Sequence, residues 1–123
     1  MIKSDQALPP SGEVLPSSVR VDMTICSHQT VIRAKDRGDG IVDIDIESEC
    51  DSVRHYASKL KFASIQDLTE WEGSKVLELA SKSGLTTTCL IPTAVFNCCW
   101  VELSMISRSL AKDKSPLCMH FVD

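Results

Sequence analysis

The chain has 123 residues, 43% of them hydrophobic and 24% charged, which suits one soluble globular domain and leaves no room for a second. Lys and Arg total 13 against 17 Asp and Glu, a net charge of −4, so the clustered basic footprint of a nucleic-acid binder is not expected. No apolar run approaches the roughly 18 residues of a membrane span, and MIKSDQALPP lacks the apolar stretch of a signal peptide. The expectation is a cytoplasmic protein with no membrane partner.

Residues 1–17, with Pro9, Pro10 and Pro16 among serines, read as a flexible lead-in, and residues 18–123 as a single domain. From Val19 to Lys35 the chain is rich in Val, Ile and Thr, which suits strand. In Ile41 to Ser48, Val42, Ile44 and Ile46 alternate with Asp43, Asp45 and Glu47, one apolar face and one acidic face at a period of two. Asp36-Arg37-Gly38-Asp39-Gly40 between the two runs predicts a hairpin turn.

Helices follow. Asp51 reads as an N-cap, with Val53, Tyr56, Ala57 and Leu60 at helical spacing behind it. Ser64 caps a short helix carrying Ile65, Leu68 and Trp71, and Gly73 breaks it. Ser74 opens another, with Val76, Leu77 and Ala80 inward and Gly84 as its stop. Pro92 fits the first turn of the longest helix, Thr93 to Leu110, which is apolar on most faces and so expected at the centre of the fold. Lys112 to Pro116 reads as a loop and Leu117 to Val122 as a short last strand. The order β-β-α-α-α-α-β predicts an α+β domain of two layers, a small antiparallel sheet packed against helices.

Six cysteines without a signal peptide point to reduced thiols, metal ligands or reactive thiols rather than a disulfide framework. Three of them fall at element boundaries. Cys26 lies on or beside the first strand, Cys50 follows the second hairpin strand, and Cys89 directly precedes the long helix, with gaps of 24 and 39 residues. Antiparallel pairing returns Cys50 close to Cys26. A helix N-terminus favours the thiolate of Cys89, and thiolates are the ligands for zinc, copper(I) and iron–sulfur clusters.

Around Ile25-Cys26-Ser27-His28, Ser48-Glu49-Cys50-Asp51 and Thr88-Cys89-Leu90-Ile91, the order and spacing over residues 19–110 resemble the iron–sulfur cluster scaffold family of the IscU and NifU N-terminal type. They are also similar to a small three-cysteine family of anaerobic microbes. The resemblance implies that Cys26, Cys50 and Cys89 hold an iron–sulfur cluster or a metal ion such as zinc, and that a protein partner delivers or receives it. This chain departs from the scaffold pattern at four places: His28 stands for an Asp, Asp51 for a Gly, Thr88 for a His, and Gly84-Leu85-Thr86-Thr87 for the Pro-rich chaperone segment. The three thiols carry over, the family's fourth ligand does not, and His28 is the residue of the right chemistry to replace it.

The remaining candidates read as structural. Cys98 and Cys99 are adjacent on a helix, point about 100° apart and suit the core. His55 reads as a solvent-facing residue. Cys118 and His120 alternate along the last strand and face one side, a two-donor signal for which a structural role is favoured. The acidic run reads as a solvated strand face. No nucleophile elbow, phosphate loop or HExxH occurs, so a binding protein is expected rather than an enzyme. The residues leave open a scaffold-shaped interaction module, with structural zinc or no metal, and a thiol redox protein. The apolar long helix and Trp100 leave room for a homodimer.

Overall fold

The computed structural model describes residues 15–123. The proposed lead-in lies outside the described residues except for its last three, and the last of these, Ser17, is already a buried strand residue. Four antiparallel strands form one sheet in the order β1-β2-β3-β4: β1 (Ser17–Met23), β2 (His28–Asp36), β3 (Ile41–Ser48) and β4 (Phe62–Ser64). Five helices follow or interrupt it: α1 (Asp51–Lys59), α2 (Ile65–Thr69), α3 (Lys75–Ser81), α4 (Ile91–Glu102) and α5 (Arg108–Lys114).

The predicted β2–β3 hairpin is present. Asp36 Oδ1 accepts the Gly38 N–H at 2.8 Å, and Gly38 and Gly40 take the left-handed backbone that the turn needs, at φ 97° and 84°. The stretch read as one strand from Val19 to Lys35 is two. It folds back at Thr24–Ser27, with Ser27 at φ 60°, so that β1 pairs with β2 from Ser17↔Ala34 to Met23↔His28. That turn holds no Gly, Pro, Asn or Asp, and its Thr24 and Ser27 are weaker turn formers, so its composition signal is weak.

Alternation does the sorting into layers. Ile32, Ala34, Val42, Ile44 and Ile46 are buried on one face, joined by Val19 and Val21 from β1. α1 and α4 cover this face, α1 against β3 and α4 against β2 and β1, with α3 wedged between them. The opposite face is polar. Arg33 pairs with Asp45 at 3.4 Å and Glu47 at 3.0 Å, and Arg37 with Asp43, whose carboxyl the Arg37 hydrogen bond holds below its ordinary range. The two-layer α+β architecture is thus established, with the acidic run on its solvated face.

Three helix expectations change. Cys50, not Asp51, is the N-cap of α1, and Asp51 is its first helical residue. Trp71 lies beyond the end of α2, mostly exposed, with its ring edge-on to Phe96. The single long helix from Thr93 to Leu110 is two. α4 stops at Glu102 because Ser104 adopts φ 62° and the Ser107 side chain caps α5 by accepting the Leu110 N–H at 3.3 Å. Glu102 pins this corner to the sheet, accepting the N–H groups of Ser17 at 3.0 Å and Asp36 at 2.9 Å and pairing with Arg108 at 3.1 Å. α5 occupies most of the segment read as a loop. Leu117 to Val122 is not a strand; it pairs with nothing in the sheet and is exposed throughout.

Candidate functional site

The site is built at the end of the sheet where β1 turns into β2. Cys26 sits in that turn, exposed, its Sγ 3.8 Å from the Met23 carbonyl. Cys50 comes to the same end because β2 and β3 are antiparallel. Thr30 opposes Ser48 at the end of the β2–β3 pairing, and Cys50 follows two residues beyond it. Ser48 secures the approach: its Oγ shares a 2.7 Å hydrogen bond with Thr30 Oγ1 and accepts the Cys50 N–H at 3.1 Å. Cys50 then starts α1, its carbonyl accepting the Arg54 N–H at 2.9 Å. Its side chain is half-buried against the core.

Cys89 arrives from the other layer. After α3 the chain reverses at Gly84, φ 81°, where a side chain would meet Ser52 Oγ at 3.7 Å. The α3–α4 loop therefore runs beside the first turn of α1. A turn closed by Cys89 N–H to the Thr86 carbonyl at 3.1 Å then sets Cys89 just ahead of α4, half-buried.

The three thiols differ in chemistry. Burial pushes the Cys89 thiol up, the Ile91 N–H at the mouth of α4 pulls it down, and the charges of Cys50 and then Cys26 push it up again; the net direction is upward. The helix end therefore acts as anticipated, but desolvation outweighs it. Among the described residues, however, no three His, Cys, Asp or Glu side chains stand close enough to hold one metal ion between them.

His28 opens β2 on the same side of the strand as Thr30 and Ile32, the helix-covered side, and is half-exposed. It pairs with Met23 on β1, at the end of the sheet from which Cys50 leaves β3. Tyr56, read from the sequence as a core residue only, is also a neighbour of this site. It is fully buried, its hydroxyl donates to the Val76 carbonyl at 2.8 Å, and burial, then the charges of Cys89 and Cys99, push its phenol well above the ordinary range. The available signal is a tyrosine at an inward helical position nearly two turns after a candidate ligand.

The other cysteines separate cleanly. Cys98 and Cys99 are wholly buried, as expected, and burial pushes each thiol up to about 12. Cys98 Sγ donates toward the carbonyls of Ser17 and Ile32 at 3.4 and 3.5 Å, joining α4 to β1 and β2. Trp100, considered for a dimer face, is used inside the fold, its Nε1 donating to the Leu68 carbonyl at 2.7 Å. His55 is exposed. Cys118 and His120 play no part in the core; both are exposed, and their Sγ and Nε2 atoms are 3.2 Å apart.

Residues 17–113 match the sequence profile of DUF6951, a family of unknown function. The chain belongs to the DUF6951 family. The DUF6951 region takes in the whole sheet and the helices up to the penultimate residue of α5, so it contains Cys26, His28, Cys50 and Cys89 but not Cys118 or His120. Comparison with curated proteins and with solved structures gave no match. Among the described residues no helix is long and apolar enough to cross a membrane.

Proposed function

We propose that this DUF6951 protein is a binding protein for a thiophilic metal, an iron–sulfur cluster or a zinc ion, held by Cys26, Cys50 and Cys89 with His28 as the fourth donor. It works in the cytoplasm with a protein partner and performs no catalysis of its own. The observation that supports this reading is that the turn after β1, the end of β3 and the loop ahead of α4 bring three thiols from two layers toward one end of the sheet. The donor chemistry fits, since thiolate and imidazole are the ligands that soft metals and zinc select. The described positions do not close around one point, so binding requires the exposed Thr24–Ser27 turn to fold toward Cys50 and Cys89. An open, three-thiol site at an exposed turn suits cargo that is accepted and handed on.

The test is metal and acid-labile sulfide content, with a visible absorption spectrum, on protein purified without oxygen. Iron with sulfide in the wild type, lost in Cys26→Ser, Cys50→Ser and Cys89→Ser alike, is the expected result for a cluster. Zinc alone, lost in the same three variants, selects the metal-ion form. Three variants that bind as the wild type does sink the proposal.

A second reading has one observation in its favour, the lack of a closed three-donor group among the described residues. On that reading the domain is a protein-interaction module, and neither iron nor zinc is retained before or after reconstitution.

A further inference from the structure

The three thiols of the candidate site are not held alike. Cys50 is fixed on both sides. Its N–H donates to Ser48 Oγ at 3.1 Å and its carbonyl accepts the Arg54 N–H at 2.9 Å. The Arg54 guanidinium folds back to the same corner, with Nε on the Ser48 carbonyl at 2.8 Å and Nη1 on Asp51 Oδ1 at 3.2 Å. Cys89 is set by its N–H on the Thr86 carbonyl at 3.1 Å, in a loop that runs beside the first turn of α1. Both side chains pack against the buried core. Cys26 is held differently. Every residue of its turn, Thr24 to Ser27, is exposed, Ile25 to 76%. Its Sγ meets the Met23 carbonyl at 3.8 Å, a weak contact for a thiol, and Ser27 beside it sits at φ 60°, a backbone that costs a residue with a side chain.

No three donors among the described residues stand close enough to share one ion, so a donor has to travel for the site to close. Cys50 and Cys89 travel only by breaking these hydrogen bonds and leaving the core. Cys26 travels by swinging a solvent-exposed turn. We propose, resting on the metal-binding reading above, that the site closes in two steps: Cys50 and Cys89 capture the metal, and Cys26 joins it last and leaves it first. In capture the two thiols release their protons to solvent and bind as thiolates; Cys26 then loses its proton and binds in turn. Release runs in reverse. The Cys26–metal bond breaks, the freed thiolate takes a proton from solvent, and one coordination position opens for a donor of the receiving protein while Cys50 and Cys89 still hold the ion. No electrons are exchanged. The core-packed pair is the holder and the exposed turn carries the exchange ligand.

The probe is cobalt(II) chloride in excess, added without oxygen to the full chain, because thiolate-to-cobalt absorption counts the sulfurs bound. Every chain carries Cys118→Ser, which removes the exposed thiol outside the site. With the three site cysteines intact, the absorption of three thiolates is expected. Cys26→Ser is expected to keep about two-thirds of it. It should surrender its cobalt to a chelator about 10-fold faster, since the third donor acts at high effective concentration. Cys50→Ser and Cys89→Ser are expected to show none, because the capture pair is broken. The two-thiolate complex is weak, so it is seen with cobalt in excess and is lost on purification. Circular dichroism checks each variant, and an alanine variant replaces a serine variant that does not fold. Cys26→Ser as blank as the other two overturns the inference, and so does thiolate absorption that persists in Cys50→Ser or Cys89→Ser. No thiolate absorption with all three cysteines intact ends the metal-binding reading itself, and this inference with it. Binding through all three sulfurs leaves that reading standing whichever way Cys26→Ser falls.

Discussion

Burial grades the six thiols of this chain. Cys26 and Cys118 are exposed, Cys50 and Cys89 half-buried, Cys98 and Cys99 inaccessible and pushed up to about 12. Pulse alkylation at pH 8, read by peptide mass spectrometry, is expected to label Cys26 and Cys118 first, Cys50 and Cys89 more slowly, and Cys98 and Cys99 only after denaturant. The same shift sets a pH dependence. A thiol whose folded-state pKa is raised binds its proton more tightly in the native state than in the unfolded one. Stability then falls as pH rises above the ordinary thiol value of 9.0, by up to about 1.4 kcal/mol per pH unit for each cysteine, until the folded pKa near 12 is passed. Denaturant midpoints measured between pH 8 and pH 11 check the sign; a rising midpoint would falsify the assignment of Cys98 and Cys99 as buried neutral thiols.

At the scale of elements, the ends matter more than the middles. α2 is only five residues long and owes its position to a capping box. Ser64 Oγ accepts the Asp67 N–H at 3.1 Å, and Asp67 Oδ2 accepts the Ser64 N–H at 3.0 Å. Asp67 reaches further, its Oδ1 accepting the Lys75 N–H at 3.0 Å, so one carboxylate ties the start of α2 to the start of α3. Burial pushes that carboxyl up, but the hydrogen bonds from Lys75 and Ser64 and the Lys75 charge outweigh it and hold it below its ordinary range. Asp67→Ala is expected to cost about 1–2 kcal/mol, as loss of a cap does. A carboxyl depressed in the folded state contributes stability above its unfolded value and loses it as pH falls through the folded one. The variant's deficit should therefore shrink below about pH 4, which parallel acid titrations of wild type and variant by circular dichroism would reveal.

For the molecule as a whole, the buried core is formed by residues other than the candidate ligands, with Cys50 and Cys89 packed against it. Sixteen residues from the sheet, α1, α2, α3 and α4, and the segments joining them form one buried cluster, and none is Cys26, His28, Cys50 or Cys89. A bound metal would then add stability by mass action alone. Chelation of the loaded protein is expected to lower the thermal midpoint while unfolding stays cooperative and the helical signal of the cold protein is unchanged. Loss of that signal on chelation would make the metal structural instead, and would move the protein from carrier to metal-stabilised module.

Local rules determined much of this chain. Alternation in Ile41–Ser48 defined a strand and both its faces; glycines at 38 and 40 defined the hairpin; Ser64 marked a cap; helical spacing put Val53, Tyr56 and Leu60 inward. These signals lie within a few residues of what they determine, and each has a steric or hydrogen-bonding cause. Tertiary structure decided the rest. The Thr24–Ser27 turn has only a weak turn-forming composition and exists because β1 gains a whole edge of pairing by folding back. α4 ends at Glu102 because that carboxylate is held by Ser17, Asp36 and Arg108, partners up to 85 residues away in the chain. Leu117–Val122 has the alternation of a strand but finds no edge to join, and alternation without a partner does not make a sheet. The ordering of the cysteines put three thiols at element ends, but only the packing of one layer on the other half-buries Cys89, and that burial pushes its thiol up against the pull of the Ile91 N–H.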